Sequence, residues 1–262
     1  MAALLDRVSG TVSPSFFFQN MWLVLITAPN SRIPALNYLA RRLPKMESED
    51  SQSSTGTPFR PCLGGGPSRT PLGDRALTPP LDHPPLAGVA HIAGEDIGLM
   101  IRGFAAALED SQILVQRGIL DLLTTTLKID SQAFKATRWA DQILLMRAVT
   151  GVVLRRDLSL SRRLYSWLLG PSDNSDVQIA YLKEHSLELL RVALKAEMDE
   201  QSTESVDRQR PFKIFISLLD KWEIGHSLTE VLVLDAFAAL QVSLRPDDHD
   251  EVSRIDPASI RA

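Results

Sequence analysis

The residues best suited to chemistry are arginines. The run VVLRRDLSLSRRLYSWLLG, Val152 to Gly170, sets Arg155-Arg156 at the end of one apolar stretch and Arg162-Arg163 at the start of the next. Guanidinium forks bind phosphates and carboxylates bidentately, so two such pairs could hold an anionic lipid headgroup or an acidic partner, or they could pin neighbouring helices. Arg41, Arg42, Lys45 and Arg147 could extend the same strip. Asp110 and Asp157 stand at turns, where a structural ladder with arginines such as Arg117 and Arg163 competes for the same charges.

Other constellations carry less. GGGPSRT lacks the Gly-Lys-Ser/Thr ending of a phosphate loop. Cys62, His83 and His91 lack metal-ligand spacing, and DDHDE near Asp247 lacks the fixed glycine and terminal glutamate of a calcium loop. Glu184 and Glu188 sit four apart, as on a charged helix face, and no serine occupies a nucleophile elbow. His185 and His226 read as surface residues, and Trp139, Trp167 and Trp222 as core anchors. No cofactor, no metal and no enzymatic activity are implied.

Twenty-eight basic and 32 acidic side chains give a net charge of −4, unevenly spread. From Arg117 to Arg163 nine Lys/Arg face four Asp/Glu; from Asp176 onward ten face seventeen. A basic middle with an acidic final third argues for a partner surface and against nucleic-acid binding. A single cysteine excludes an intrachain disulfide and fits a reducing compartment. FFFQNMWLVLI, Phe16 to Ile26, is shorter than the roughly 20 residues of a membrane span and reads as a buried helix.

The elements that must position the arginines are helices. Ile97, Met100, Ile101, Phe104 and Leu108 share one face, as do Val115, Gly118, Ile119 and Leu122, and EDSQ between them offers a cap. Leu145, Ala148, Val149, Val152 and Val153 repeat the pattern before the turn RRDLS, followed by Leu160, Leu164, Trp167 and Leu168. Superposing Gln116-Arg117 on Arg162-Arg163 gives an offset of 46 residues. That falls in the roughly 40–47-residue spacing of HEAT and armadillo repeats. A further hairpin is expected before Pro44 through the turn APNS, and another after Pro211 through the turn EIGH, with one long amphipathic helix from Ile179 to Met198 ahead of the latter.

The expected fold is therefore all-α, a solenoid of HEAT/armadillo-like helical hairpins. Residues 1–45 form its first hairpin, 46–94 a disordered Pro/Gly/Ser-rich insertion, 95–243 the helical repeats, and 244–262 a polar acidic tail. Eight prolines between Pro58 and Pro85 and the run ESEDSQSSTGT leave the insertion too little apolar surface to offset chain entropy.

Four blocks resemble the N-terminal domain of the Dopey family: MWLVLITAPNSRIPALNYLARRLP, GLMIRGFAAALEDSQILVQRGILDLL, LMRAVTGVVLRRDLSLSRRLYSWLLG and PFKIFISLLDKWEIG. The resemblance implies a non-enzymatic scaffold in vesicle-mediated protein transport, cytoplasmic and peripheral on trans-Golgi and endosomal membranes. It implies as partners a large scaffold related to Arf exchange factors and an aminophospholipid flippase. An anionic phosphoinositide membrane surface is a further implied contact. The rival is a lipid-independent adaptor linking a motor or cargo protein through the solenoid groove. The chain is shorter than family members, so a fragment with a raw solenoid edge is expected. Trp222 stands where the family leads one to expect proline, so the helix before it is expected to run on by a turn.

Overall fold

The computed structural model describes residues 2–43, 96–200 and 205–243. The expected insertion and acidic tail lie outside these residues, as does Lys45. Helix boundaries follow local chemistry. After α1 (Ala2–Ser9), α2 (Pro14–Thr27) opens with Ser13 accepting the Phe16 N–H and proline in the first turn, where a missing N–H costs nothing. A short 3₁₀ turn over Pro29–Ser31 leads into α3 (Arg32–Arg42). Asp96 caps α4 (Ile97–Leu108), and α5 (Ile113–Thr125) follows the turn at Asp110. After the one-turn α6 (Gln132–Lys135) come α7 (Trp139–Gly151) and α8 (Leu158–Leu169). Asp157 caps α8, and Gly170 ends it at φ 76°, a left-handed backbone angle that glycine adopts freely.

Asn174 then caps α9 (Ser175–Tyr181), which continues through a π turn (Leu182–Ser186) into α10 (Leu187–Asp199). The helices α11 (Ser205–Leu219) and α12 (Trp222–Ser243) form the last hairpin. Among the described residues there is no strand.

The helices stack in two rows. In the first, α2 packs on α4, α4 on α7, α7 on α10 and α10 on α12. In the second, α3 packs on α5 and α5 on α8. One contiguous core runs between the rows. The protein is an all-α solenoid.

Packing explains the register. Fully buried Trp22 meets Phe104 edge-on at 5.5 Å and stacks on Phe18 at 6.1 Å, tying α2 to α4. Gly103 lets α4 approach that closely, since an added Cβ would lie 3.3 Å from the Trp22 carbonyl oxygen. Farther along, the buried Trp167 indole donates to the Leu127 carbonyl at 2.9 Å and meets Phe134 edge-on.

Three expectations need correction. Of the three tryptophans expected in the core only Trp167 is there; Trp139 and Trp222 are exposed because each begins a helix beyond its packed face. EIGH is not a turn. The chain reverses at Asp220-Lys221, the helix before it stops at Leu219, and EIGH is the first turn of α12. The long helix after Asn174 is not uniform either. Its π turn brings the Ser186 hydroxyl to the Leu168 carbonyl at 2.8 Å, a buried bond that joins α8 to the next repeat.

The reversal at Lys221 depends on Gly225. A Cβ there would stand 2.6 Å from the Leu219 carbonyl oxygen and 3.1 Å from its Cα, both backbone atoms that cannot swing aside. Gly225→Ala is expected to destabilise the protein by about 1–3 kcal/mol, as overpacking does. At Gly10, where the nearest atoms would lie 3.6 Å away, alanine should be nearly neutral. Urea unfolding followed by circular dichroism checks both.

Candidate functional site: a ladder of arginines and carboxylates

The turns from first-row to second-row helices lie along one edge of the solenoid. Charge stitches them together. Arg32, the first residue of α3, is buried; it donates to Asp110 Oδ2 at 2.7 Å and through Nε to the Leu25 carbonyl at 2.8 Å. One guanidinium thus satisfies both an orphan carbonyl at the end of α2 and the carboxylate of the next turn. Asp110 Oδ1 accepts the Gln112 N–H at 2.8 Å, and its main-chain carbonyl accepts from Gln116 and from Arg155 Nη2, each at 3.0 Å. Three successive hairpins therefore meet at one residue. Burial pushes the Asp110 carboxyl up, but the Gln112 N–H, Arg32 and Arg155 outweigh it and hold the group below its ordinary value.

The next turn repeats the device. Asp157 Oδ1 accepts the N–H groups of Ser159 and Leu160, and the Ser159 hydroxyl at 2.5 Å. Its Oδ2 accepts from Arg117 Nη2 of α5 at 3.1 Å. The Ser159 bond, then the Leu160 N–H and Arg117, lower this carboxyl to about 2. On the second-row surface Arg163 binds Asp121 at 2.6 Å and its own Ser159 carbonyl at 3.0 Å. In the first row Arg147 of α7 reaches Glu200 at 2.5 Å and Glu197 at 3.9 Å, and Arg210 of α11 also binds Glu197. Glu197 is buried and its Oε2 has no hydrogen bond; burial raises its carboxyl despite the two arginines.

The expected strip is thus divided. Arg42 is paired with Asp6 at 2.7 Å, and Arg147, Arg155 and Arg163 are held as described. Arg41, Arg156 and Arg162 are exposed, and among the described residues none has a carboxylate within 4.0 Å. Arg156 closes its turn at φ 54°, a left-handed angle unusual outside glycine. Beside it Leu158 is 87% exposed.

Sequence reasoning missed Arg32, Asp121, Glu197 and Arg210. One signal existed for Arg32: a cation in a helix's first turn opposes the helix dipole and needs a partner. His185 packs against the Tyr181 ring at 4.7 Å, and His226 lies 3.3 Å from Glu230. Glu188 pairs with Arg191 at 2.7 Å, so Glu184 and Glu188 do not form an acid pair. Among the described residues no group of three His, Cys, Asp or Glu could hold a metal ion, and no helix is long and apolar enough to cross a membrane.

The rungs built on Arg32, Asp110, Arg117 and Asp157 all fall within residues 1–173, which match the family model described as Dopey, N-terminal. The chain belongs to the Dopey family. Residues 181–256 match a second model, the DOP1 middle TPR domain, so the boundary between the models falls just before the π turn. Among curated relatives, protein dop1 of Emericella nidulans is 32% identical over 85% of this chain and 12% of its own length. Protein DOP1B of Mus musculus is 29% identical over 90% of this chain and 10% of its own, and protein DOP1 of Saccharomyces cerevisiae 27% over 80% and 14%. The chain spans about a tenth of the length of these relatives. No solved structure matches it.

Removing one member of a buried ion pair strands the other. Arg32→Ala and Asp110→Ala should each cost about 3 kcal/mol, and the double variant less than their sum. Urea midpoints of the four proteins measure that coupling. Asp157 predicts a pH effect of defined sign. Its carboxyl is lowered on folding, so its contribution is complete above the unfolded value of 3.8 and is lost as pH falls towards about 2. Melting temperatures across that window should fall less steeply for Asp157→Asn than for the unaltered protein.

Proposed function

We propose that the protein is a non-enzymatic helical scaffold in vesicle-mediated protein transport between Golgi and endosomes, working at the cytoplasmic face of trans-Golgi and endosomal membranes. Membership of the Dopey family is the observation that carries this. Its proposed partners are a large scaffold related to Arf exchange factors, an aminophospholipid flippase and an anionic phosphoinositide surface. The part played by this stretch is to present a stiff surface. The buried charge pairs between hairpins resist sliding of one repeat over another, which suits a docking platform. Of the arginines of the expected strip, Arg41, Arg156 and Arg162 are free to meet headgroup phosphates, each worth about 1 kcal/mol near an anionic membrane. Exposed Leu154 and Leu158 flank Arg156 and could enter the interface beside it.

A specific feature favours a second reading, an adaptor for a motor or cargo protein. Between α3 and α5 runs a groove of about 520 Å³, lined by Ile33, Leu36, Leu114, Gly118 and Leu122 among others. Its floor is set by Gly118, where an added Cβ would lie 3.3 Å from Leu36 Cδ1. Such a groove suits the apolar face of an amphipathic helix.

Flotation with liposomes separates the two. The purified protein should float with vesicles carrying phosphatidylinositol 4-phosphate and not with neutral ones, less so as salt rises. Arg156→Glu/Arg162→Glu should abolish flotation while leaving helicity unchanged. No flotation by the unaltered protein at low salt would overturn the membrane contact and leave the groove as the docking element.

A further inference from the structure

The run LRRDLS sets Arg155 and Arg156 four and three residues before Ser159, and Leu154 five before it. Two arginines stand at the same distances ahead of a serine in RRLYS, Arg162 to Ser166. The fold separates the two serines. Ser166 lies well inside α8, and the Arg163 ahead of it is held by Asp121 and by the Ser159 carbonyl. Ser159 lies in the first turn of α8, just after the exposed residues Leu154, Arg155, Arg156 and Leu158. Arg156 is left-handed and Asp157 is extended at φ −100° and ψ 119°, so the chain arriving at Ser159 is outside any helix. The Ser159 hydroxyl donates to Asp157 Oδ1 at 2.5 Å.

We propose that Ser159 is a phosphorylation site for an arginine-directed serine kinase, and that its phosphate captures Arg156 and Arg162 and so switches off docking on an anionic surface. Such a kinase reads its substrate as a charge pattern along an extended strand. Carboxylates in its cleft take the guanidinium three residues before the serine, and an apolar pocket takes the aliphatic side chain five before it. Arg156 is open to the first, having no carboxylate within 4.0 Å among the described residues, and Leu154, 37% exposed, is open to the second. Helix ends fray, and fraying of one turn brings Ser159 Oγ to the nucleotide. That turn also holds fully buried Leu160, so the reaction runs from the frayed state and Leu160 repacks afterwards. Ser159 Oγ attacks the γ-phosphorus of magnesium ATP. The Oγ–P bond forms as the bond to ADP breaks, and the hydroxyl proton passes to the kinase's catalytic carboxylate.

The phosphate carries close to two negative charges and three strong acceptor oxygens. It removes the hydroxyl that donated to Asp157 Oδ1 and sets like charges against each other there. Asp157 keeps the Ser159 and Leu160 N–H groups and Arg117, and goes on capping α8. The phosphate turns to the open cations instead. Arg162 stands three residues on along the same helix face, and Arg156 three residues back in the turn. The first turn of a helix favours the added negative charge as well. Two positive charges are cancelled by two negative ones, and the patch no longer attracts headgroup phosphates. The loss of docking rests on the membrane reading above; the modification and the capture do not.

The test uses the whole 262-residue chain, treated with calmodulin-dependent protein kinase II and magnesium ATP and mapped by mass spectrometry. Ser159 should be modified, and Arg156→Gln should slow its modification at least about tenfold. Phosphate on other residues alone, or an equal rate in Arg156→Gln, would overturn the site. Capture is read by phosphorus NMR. An unpaired phosphoserine titrates near about pH 6, and this one should titrate about half a unit lower or more. Arg162→Gln leaves the recognised side intact and should return the titration towards about 6. An ordinary titration in the unaltered chain sinks the capture. On vesicles carrying phosphatidylinositol 4-phosphate at low salt, the phosphorylated chain should float about tenfold less than the unmodified one, with equal helicity. Equal flotation by the two forms overturns the switch. Failure of the unmodified chain to float overturns the membrane reading and the switch with it, while modification and titration still decide the site and the capture.

Discussion

Everything in this solenoid turns on how the ends of its helices are satisfied at the first-to-second-row turns. Each turn leaves carbonyls without partners at the end of one helix and N–H groups without partners at the start of the next. A lone hairpin could leave them to water, but stacking hairpins buries the turns against one another. The Arg32–Asp110 contact answers both needs at once: the guanidinium takes the Leu25 carbonyl, the carboxylate takes the Gln112 N–H, and the two opposite charges neutralise each other out of water. Arg155 from the third hairpin then closes on the Asp110 carbonyl, so the seam is shared by three repeats.

Such pairs are weak evidence for stability, because desolvation offsets most of the Coulomb gain. Their consequence is register. Leucine and valine faces slide over one another at little cost, whereas moving one hairpin by a turn relative to the next would strand Arg32 and Asp110, both buried. The Glu197 cluster imposes the same condition among α7, α10 and α11, whereas the more exposed Arg117–Asp157 and Arg163–Asp121 pairs add only a weak preference between α5 and α8. Close helix approaches at Gly103 and Gly118 supply the steric counterpart, since each accepts a neighbour in one position only.

This division explains what was legible in the sequence. The 3.6-residue periodicity identified α4, α5, α7 and α8, because each buries a single stripe, and Asp110 and Asp157 were readable as turn acids, although only Asp157 caps its helix while Asp110 takes the Gln112 N–H ahead of α5. It failed at Asp220-Lys221, where α12 is apolar on nearly every side and offers no stripe to phase, so a glycine inside the helix passed for a turn. The π turn at Leu182–Ser186 was hidden for a different reason: its buried Ser186 hydroxyl serves a carbonyl in another helix, a need local sequence does not express. The carboxylates of the ladder could be named from capping, but their partners could not. Arg32 lies 78 residues from Asp110, and only the packed register brings them together.

The ladder also changes what the basic middle of the chain can do. Counted along the sequence, Arg117 to Arg163 carries five surplus positive charges. In the fold Arg117, Arg147 and Arg163 each face a carboxylate, and Arg155 is held by a carbonyl. With a Debye length of about 8 Å at physiological salt, neutralised pairs add little to the field beyond the surface. Of the arginines of the strip, the three open ones, Arg41, Arg156 and Arg162, at about 1 kcal/mol each amount to about 3 kcal/mol, which corresponds to an affinity weaker than millimolar. A membrane contact of that strength is useful only as one of several. Joining weak contacts on one stiff body multiplies their affinities through effective concentration. The stiffness that the buried pairs impose is what would let such a contact be held at a fixed distance from the rest, and a solenoid whose repeats slid freely would lose that advantage first.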